Sequence, residues 1–394
     1  MFSTVAFLSP LSSVDMEVLR HPNRAVRFCF LGLLLLGALS LLSYVFSINS
    51  PRGLQRFWGD FEITQNYWTV WTNRTLGIQW AWPTRTNQSQ PALPSVIPTP
   101  NPDLESDFST TPYANSYHFT YPRNYRFIVD EAGVCETKSP FLVLMVPVAP
   151  HNLAARDAIR RTWGNETLVR GQRVLTLFLL GLPGGSDAEQ QLENVRQESR
   201  THRDLIQSDF ADSYRNLTIK TMVMLEWLSS RCPGASYAMK IDSDMFLNVQ
   251  NLVKMLLDAP RENYMTGLVW WHSPVLRDPN NKFFLPMEVI AEPEYPPYPL
   301  VLGYVMSIDI PKKILGVSCR IKPIFIEDAY LGMCLKLLGI SPTDPPSFEM
   351  FQVNPMFTLR RCALSKVVAV TAKDFAQLLW YWEENRKPGV PCLR

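Results

Sequence analysis

From residue 140 onward the chain alternates short apolar runs with amphipathic ones, and this alternation restricts the fold more than any other feature. FLVLMVPVA (141–149) and RVLTLFLLGL (173–182) are nearly continuous apolar runs, the pattern of strands buried on both faces. Between and after them the period changes. A helix is predicted from about Asn152 to Trp163, a polar and exposed one over 187–202, and another over 217–230 (LTIKTMVMLEWLSS). The last leads into the strand SYAMKI, which ends at Asp242, and the helix NVQNLVKMLLD follows. This β-α-β order predicts an α/β domain with a mostly parallel sheet and helices on both faces, and such sheets place ligands beyond the carboxyl ends of their strands. Asp242 and Asp244 stand at such an end.

The chain ahead of this domain is of a different kind. FCFLGLLLLGALSLLSYVFSI (28–48) runs 21 residues without a charge, long enough to span a bilayer. Arg20, Arg24 and Arg27 precede it, which favours a cytoplasmic N-terminus, against the weaker pull of Arg52 and Arg56 beyond it. The expected organisation is a tail (1–27), a single N-terminal transmembrane signal anchor (28–48), a stem rich in Trp and then in Pro, Ser and Thr (49–135), and a globular domain (136–394). A cleaved signal peptide is the competing reading, disfavoured by the length of the run and the lack of a convincing cleavage site. Two features agree with a lumenal domain. Sequons at Asn73, Asn87, Asn165 and Asn216 all follow the apolar run, and six cysteines beyond it form an even set with no C-x-x-C pair. Six cysteines allow 15 connectivities, and the sequence does not choose among them. Basic residues cluster only beside the apolar run and the net charge is +2, so no polymeric nucleic acid is expected as a partner.

Three constellations carry chemistry. In MKIDSDMFLN (239–248), Asp242, Ser243 and Asp244 follow a buried strand. An EF-hand is excluded, because Phe246 and Leu247 stand where an oxygen ligand and a glycine are required. Two carboxylates at a strand end suit a divalent cation with open positions that a diphosphate fills; a solvated strand end is the plainer alternative. In ARDAIRRTWGNE (155–166), Arg156 and Arg160 share one helical face and Ile159 and Trp163 another, which predicts arginines meeting phosphate oxygens over a packed apolar face, or else an ordinary exposed basic face. In FIEDAYLGMCLKLLG (325–339), Glu327 and Asp328 open an amphipathic helix. They cap it, or one of them is a general base whose pKa the helix end lowers. No G-x-G-x-x-G or Walker loop is present.

These elements together resemble the β-1,3-glycosyltransferases of glycosyltransferase family 31, which have the GT-A fold, a Rossmann-like sandwich. The matching blocks read RDAIRRTW, DLIQSDFADSYRNLTIKT (204–221), MKIDSDMFLN and EDAYLG, and the resemblance runs from about Pro140 to Cys392, closest to the β-1,3-galactosyltransferase branch. It implies a type II Golgi membrane enzyme in which Asp242 and Asp244 hold Mn²⁺ against the diphosphate of UDP-galactose. Arg156, Arg160, Trp163, Lys240, Ser243 and Glu327 then stand around the donor, and Asp328 is the base for a β-1,3 transfer to a glycan ending in N-acetylhexosamine. The same fold using UDP-N-acetylglucosamine, and an inactive glycan-binding or escort protein, are the alternatives. Two positions depart from the family. YPLVLGYVMS (298–307) has Pro299 and Val301 where Cys and Gly are common, and Thr371 stands where relatives often carry a His that resembles a third metal ligand.

Overall fold

The computed structural model describes residues 121–389 and 392. The apolar run 28–48, the sequons at Asn73 and Asn87 and most of the stem lie outside them. Among the described residues no helix is long and apolar enough to cross a membrane.

The strands are β1 (Phe127–Val129), β2 (Leu142–Pro147), β3 (Leu168–Val169), β4 (Gln172–Leu182), β5 (Leu205–Ala211), β6 (Tyr237–Ile241), β7 (Met245–Leu247), β8 (Met265–Trp270), β9 (Tyr298–Ser307), β10 (Phe351–Gln352) and β11 (Ala369–Thr371). The helices are α1 (Val134–Lys138), α2 (Leu153–Arg160), α3 (Ala188–His202), α4 (Leu217–Arg231), α5 (Val249–Leu257), α6 (Asp309–Ser318), α7 (Glu327–Leu337), α8 (Arg361–Leu364) and α9 (Phe375–Arg386). Eight strands form the main sheet in the order β1-β5-β4-β2-β6-β9-β8, with β3 hairpinned onto β4, and β10-β11-β7 form a small second sheet.

The sheet is mixed. β5, β4, β2 and β6 run parallel in its middle, where the apolar runs predict it, while β1, β9 and β8 join antiparallel. Crossover helices cover a parallel centre on both faces, so its strands are largely apolar; every residue of β6 is buried, Lys240 included. β1 belongs to the fold although the sequence assigns it to the stem. Its pairing with β5, and the hydrogen bonds from Arg123 to Ser318 Oγ at 2.6 Å and to the Ser318 carbonyl at 2.7 Å, bring residues before 136 into the domain.

Two local features set up the site. A Cβ on Gly332 would meet Tyr298 Cβ at 2.9 Å and the Pro297 carbonyl oxygen at 3.0 Å, so the glycine of EDAYLG lets α7 lie against the start of β9. The β8–β9 register jumps from Gly267↔Tyr304 to Val269↔Pro299, a bulge that takes Leu300–Leu302 out of the ladder. Disulfides join Cys135 to Cys232 and Cys362 to Cys392, and Cys319 and Cys334 are free.

Candidate active site

The carboxyl ends of the parallel strands converge as predicted. Asp242 directly follows β6 and Asp244 closes the turn into β7, whose place is fixed from three sides. The Trp163 indole N–H donates to the Met245 carbonyl at 3.0 Å, Ala372 N donates to the Asp244 carbonyl at 2.7 Å, and Thr371 pairs with Met245 across β11. Trp163 is fully buried, so it positions the acidic turn from within the core and has no surface to offer a nucleotide.

Lys240 lies two residues before Asp242, 3% exposed, and binds both acidic constellations. Its ammonium is 2.6 Å from Asp242 Oδ1 and 3.4 Å from Glu327 Oε1, and it donates to the carbonyl of Val301. Glu327 Oε2 accepts from Thr221 Oγ1 at 2.9 Å and from the Tyr304 hydroxyl at 3.3 Å. Glu327 Oε1 has only the ion-pair approach of Lys240 and no aligned hydrogen bond. Glu327 therefore serves this network and does not cap α7. Burial pushes its pKa up to about 7 despite the lysine.

Asp328 is 6% exposed and accepts from Val301 N at 3.2 Å and Ala329 N at 2.9 Å. The helix end does not win: burial raises the Asp328 pKa and the two amides offset it only in part. The result is a stronger base than the helix dipole alone would leave. Asp244 is exposed, yet partial desolvation and the neighbouring Asp242 carboxylate push it above the usual carboxylate range. Two hard oxygen donors that repel one another on an open turn fit a hard divalent cation, which relieves the repulsion and leaves positions for other ligands. Asp242 and Asp244 would hold it, with Ser243 between them. Among the described residues no cluster of three or more His, Cys, Asp or Glu forms a closed metal cage. Thr371 is beside Asp244 as the resemblance implies, but its hydroxyl accepts from Asn354 N at 2.7 Å.

The arginines do something else. Arg156 is 1% exposed and donates to both carboxylate oxygens of Glu198 at 2.7 Å and to the carbonyls of Ala149 and Pro150. Arg160 holds Asp204 bidentately at 2.8 Å, Glu198 at 2.7 Å and Asp157 at 3.0 Å. The expected phosphate contact is thus replaced by a scaffold contact, because α3 and the start of β5 supply carboxylates to the same helical face. Arg156 still bears on the site, since the carbonyls it grips belong to the loop leaving β2.

Several members were not singled out from the sequence. Thr221 and Tyr304 hold Glu327, and Lys220, 3% exposed, donates to Asp212 Oδ2 at 2.7 Å and the Val148 carbonyl at 3.0 Å, tying the ends of β2 and β5 together. A lysine and a threonine inside α4, whose residues 218–225 are all buried, were the available signal. Tyr214, 56% exposed on the turn before α4, lies close enough to Asp328 for that carboxylate to raise its hydroxyl pKa after desolvation. Asn216, a sequon residue, donates to the Ala211 carbonyl at 2.8 Å. A cleft of about 720 Å³ lined by Lys138, Arg160, Asn165, Arg173 and Arg203 sits toward the amino ends of β4 and β5, and none of Asp242, Asp244 or Asp328 lines it.

An α/β sheet with an open acidic turn at one strand end and a buried carboxylate beside it is the arrangement of a ligand-binding α/β domain, and comparison gives the family. A sequence profile described as Galactosyltransferase matches residues 154–346. The chain is 37% identical over 275 residues to beta-1,3-galactosyltransferase 2 of Mus musculus, 69% of this chain and 63% of that protein. It is 40% identical over 257 residues to beta-1,3-galactosyltransferase 5 of Mus musculus, 64% of this chain and 82% of that protein. Beta-1,3-galactosyltransferase 1 of Mus musculus is 37% identical over 275 residues, 82% of its length. The chain belongs to the galactosyltransferases of glycosyltransferase family 31, in their β-1,3-galactosyltransferase branch. The match spans less than two thirds of beta-1,3-galactosyltransferase 2.

Proposed function

We propose that this protein is an inverting β-1,3-galactosyltransferase that uses UDP-galactose and Mn²⁺ and acts on a glycan ending in N-acetylhexosamine, held in the Golgi membrane by residues 28–48 with its catalytic domain in the lumen. The observation that carries the reading is the single ammonium of Lys240, within 2.6 Å of the acidic turn and 3.4 Å of the acidic helix start. It makes one site of two motifs 85 residues apart in sequence (Asp242 to Glu327).

Asp328 takes the proton from the acceptor hydroxyl as that oxygen attacks the anomeric carbon and the bond to UDP breaks; a single displacement turns an α-linked donor into a β-linked product. Its raised pKa strengthens it as a base. When bound, the cation supplies charge stabilisation to the departing diphosphate. Asp242 and Asp244 would hold it, Lys240 holds Asp242, and Trp163 fixes the turn. Partly buried Trp270, packed on Tyr298 at 6.3 Å, and Tyr214 beside Asp328 give the acceptor side aromatic faces.

The test is UDP release by the full-length protein from a panel of UDP-sugars, with and without Mn²⁺, on N-acetylglucosamine and N-acetylgalactosamine glycosides. Turnover of UDP-galactose that requires Mn²⁺ is expected. Preference for UDP-N-acetylglucosamine keeps the mechanism and moves the donor, and turnover of no donor by folded protein overturns the reading in favour of a binding or escort protein.

A further inference from the structure

The two backbone polar groups of Val301 are both used by the site. The carbonyl oxygen accepts from Lys240 Nζ, and the N–H of the same residue donates to Asp328 Oδ2 at 3.2 Å. Lys240 in turn lies 2.6 Å from Asp242 Oδ1. A continuous path therefore runs from the acidic turn through one buried side chain and one residue of backbone to the carboxylate placed as proton acceptor. The bulge in β9 makes this possible, because the β8 ladder passes from Tyr304 to Pro299 and leaves the polar groups of Val301 to the site. The lysine has little freedom of its own: it is 3% exposed, with Glu327 Oε1 at 3.4 Å and the Tyr304 ring centroid at 5.9 Å. The family departure at Val301 lies in the side chain, whereas the groups in use are backbone.

We infer that Lys240 is a positioning residue that couples Asp242 to the orientation of Asp328 through Val301, so that filling the donor side of the site aligns the proton acceptor for the sugar hydroxyl. The inference rests on the proposed transferase reading. A buried ammonium divides its hydrogen bonds among the acceptors around it. When a cation takes up the charge of Asp242, the Lys240 ammonium is held more by the Val301 carbonyl and by Glu327. The carbonyl and the N–H of Val301 lie in successive peptide planes that share its Cα, and each plane is stiff, so fixing the carbonyl leaves the N–H that holds Asp328 only the φ and ψ rotations of this one residue. Coupling of this kind is reciprocal: acceptor binding at Asp328 tightens donor binding by the same factor.

The test uses the full-length protein and its variants Lys240→Met, Asp328→Asn and the double variant. By calorimetry, Mn²⁺ with UDP tightens binding of an N-acetylglucosamine glycoside about 10-fold in the wild type, and the ratio falls to about one in Lys240→Met. In transfer assays Lys240→Met loses about 100-fold when Asp328 is present and less than about threefold in the Asp328→Asn background, since it acts through that carboxylate. An equal loss in both backgrounds overturns the inference, and so does a coupling ratio unchanged by the substitution. If Lys240→Met does not fold, the wild-type ratio decides, because no tightening by Mn²⁺ with UDP also overturns it. Wild-type protein that shows the tightening but transfers no sugar contradicts the transferase reading and leaves the coupling standing.

Discussion

The domain contains two buried charge clusters built from the same kinds of residue, and they are finished differently. In the first, Arg156 and Arg160 meet Glu198, Asp204 and Asp157 through bonds of 2.7 to 3.0 Å, and although burial works the other way those bonds hold Glu198 below the usual carboxylate range. In the second, one ammonium serves Asp242 and Glu327, with Asp328 and Asp244 nearby, and Glu327, Asp328 and Asp244 are all raised. A cluster with enough cation to satisfy its carboxylates is a joint. One short of positive charge suits a metal ion and a proton, and that shortage is the ground on which we propose it as the reactive centre.

The difference is open to direct attack. Replacing Asp242 and Asp244 together by Asn removes the carboxylates that call for a cation. Mn²⁺-dependent UDP binding should vanish in calorimetry and transfer should fall about 10³-fold, the scale of several kcal/mol of leaving-group stabilisation. Arg156→Met strikes the satisfied cluster and should act on stability instead, by about 3 kcal/mol in urea unfolding, because it leaves buried Glu198 with Arg160 alone as its cation; the folded fraction should keep its affinity for UDP within a few-fold. Glu327→Gln tests the shortage through pH. The Glu327 pKa is raised from 4.5 to about 7, so between those values the folded state binds the extra proton and its stability falls as pH rises. Relative to wild type, Glu327→Gln should gain up to about 3 kcal/mol between pH 4.5 and pH 8, read from unfolding curves at each end. The smallest effect is expected from Thr371→His, which offers a third donor beside Asp244 at the cost of the Asn354 contact. Mn²⁺ affinity should rise about 10-fold, with about 1 kcal/mol lost from stability.

The sequence made the joint look like the reactive centre and the reactive centre look like two separate motifs. Periodicity placed β2, β4, β6 and most helix bounds well, because parallel strands buried on both faces leave a continuous apolar record; α4 runs Leu217–Arg231 against an expected 217–230. It could show that Arg156 and Arg160 share a face. It could not show what faces them, since Glu198 is 42 residues from Arg156 and reaches it only when α3 folds back. The polar look of 187–202 concealed the one carboxylate on that helix that turns inward. Backbone roles were equally hidden: Val301 acts through its N–H and carbonyl, so its side chain, which departs from the family pattern, says little about the work done there. Antiparallel β1, β8 and β9 carry no crossover helix between them to announce their pairing, and the mixed sheet follows from tertiary contacts that no local window contains.

The most direct test of the account compares Asp328→Asn with wild-type protein for transfer from UDP-galactose in saturating Mn²⁺, beside the melting temperature and UDP affinity of each. Asn keeps the shape, and its single carbonyl oxygen can still accept from one of the two amides, Ala329 N or Val301 N, that now donate to separate oxygens of Asp328. The account predicts a loss of transfer of about 10² to 10⁴ with fold and UDP binding retained. Transfer by Asp328→Asn at the wild-type rate would contradict it.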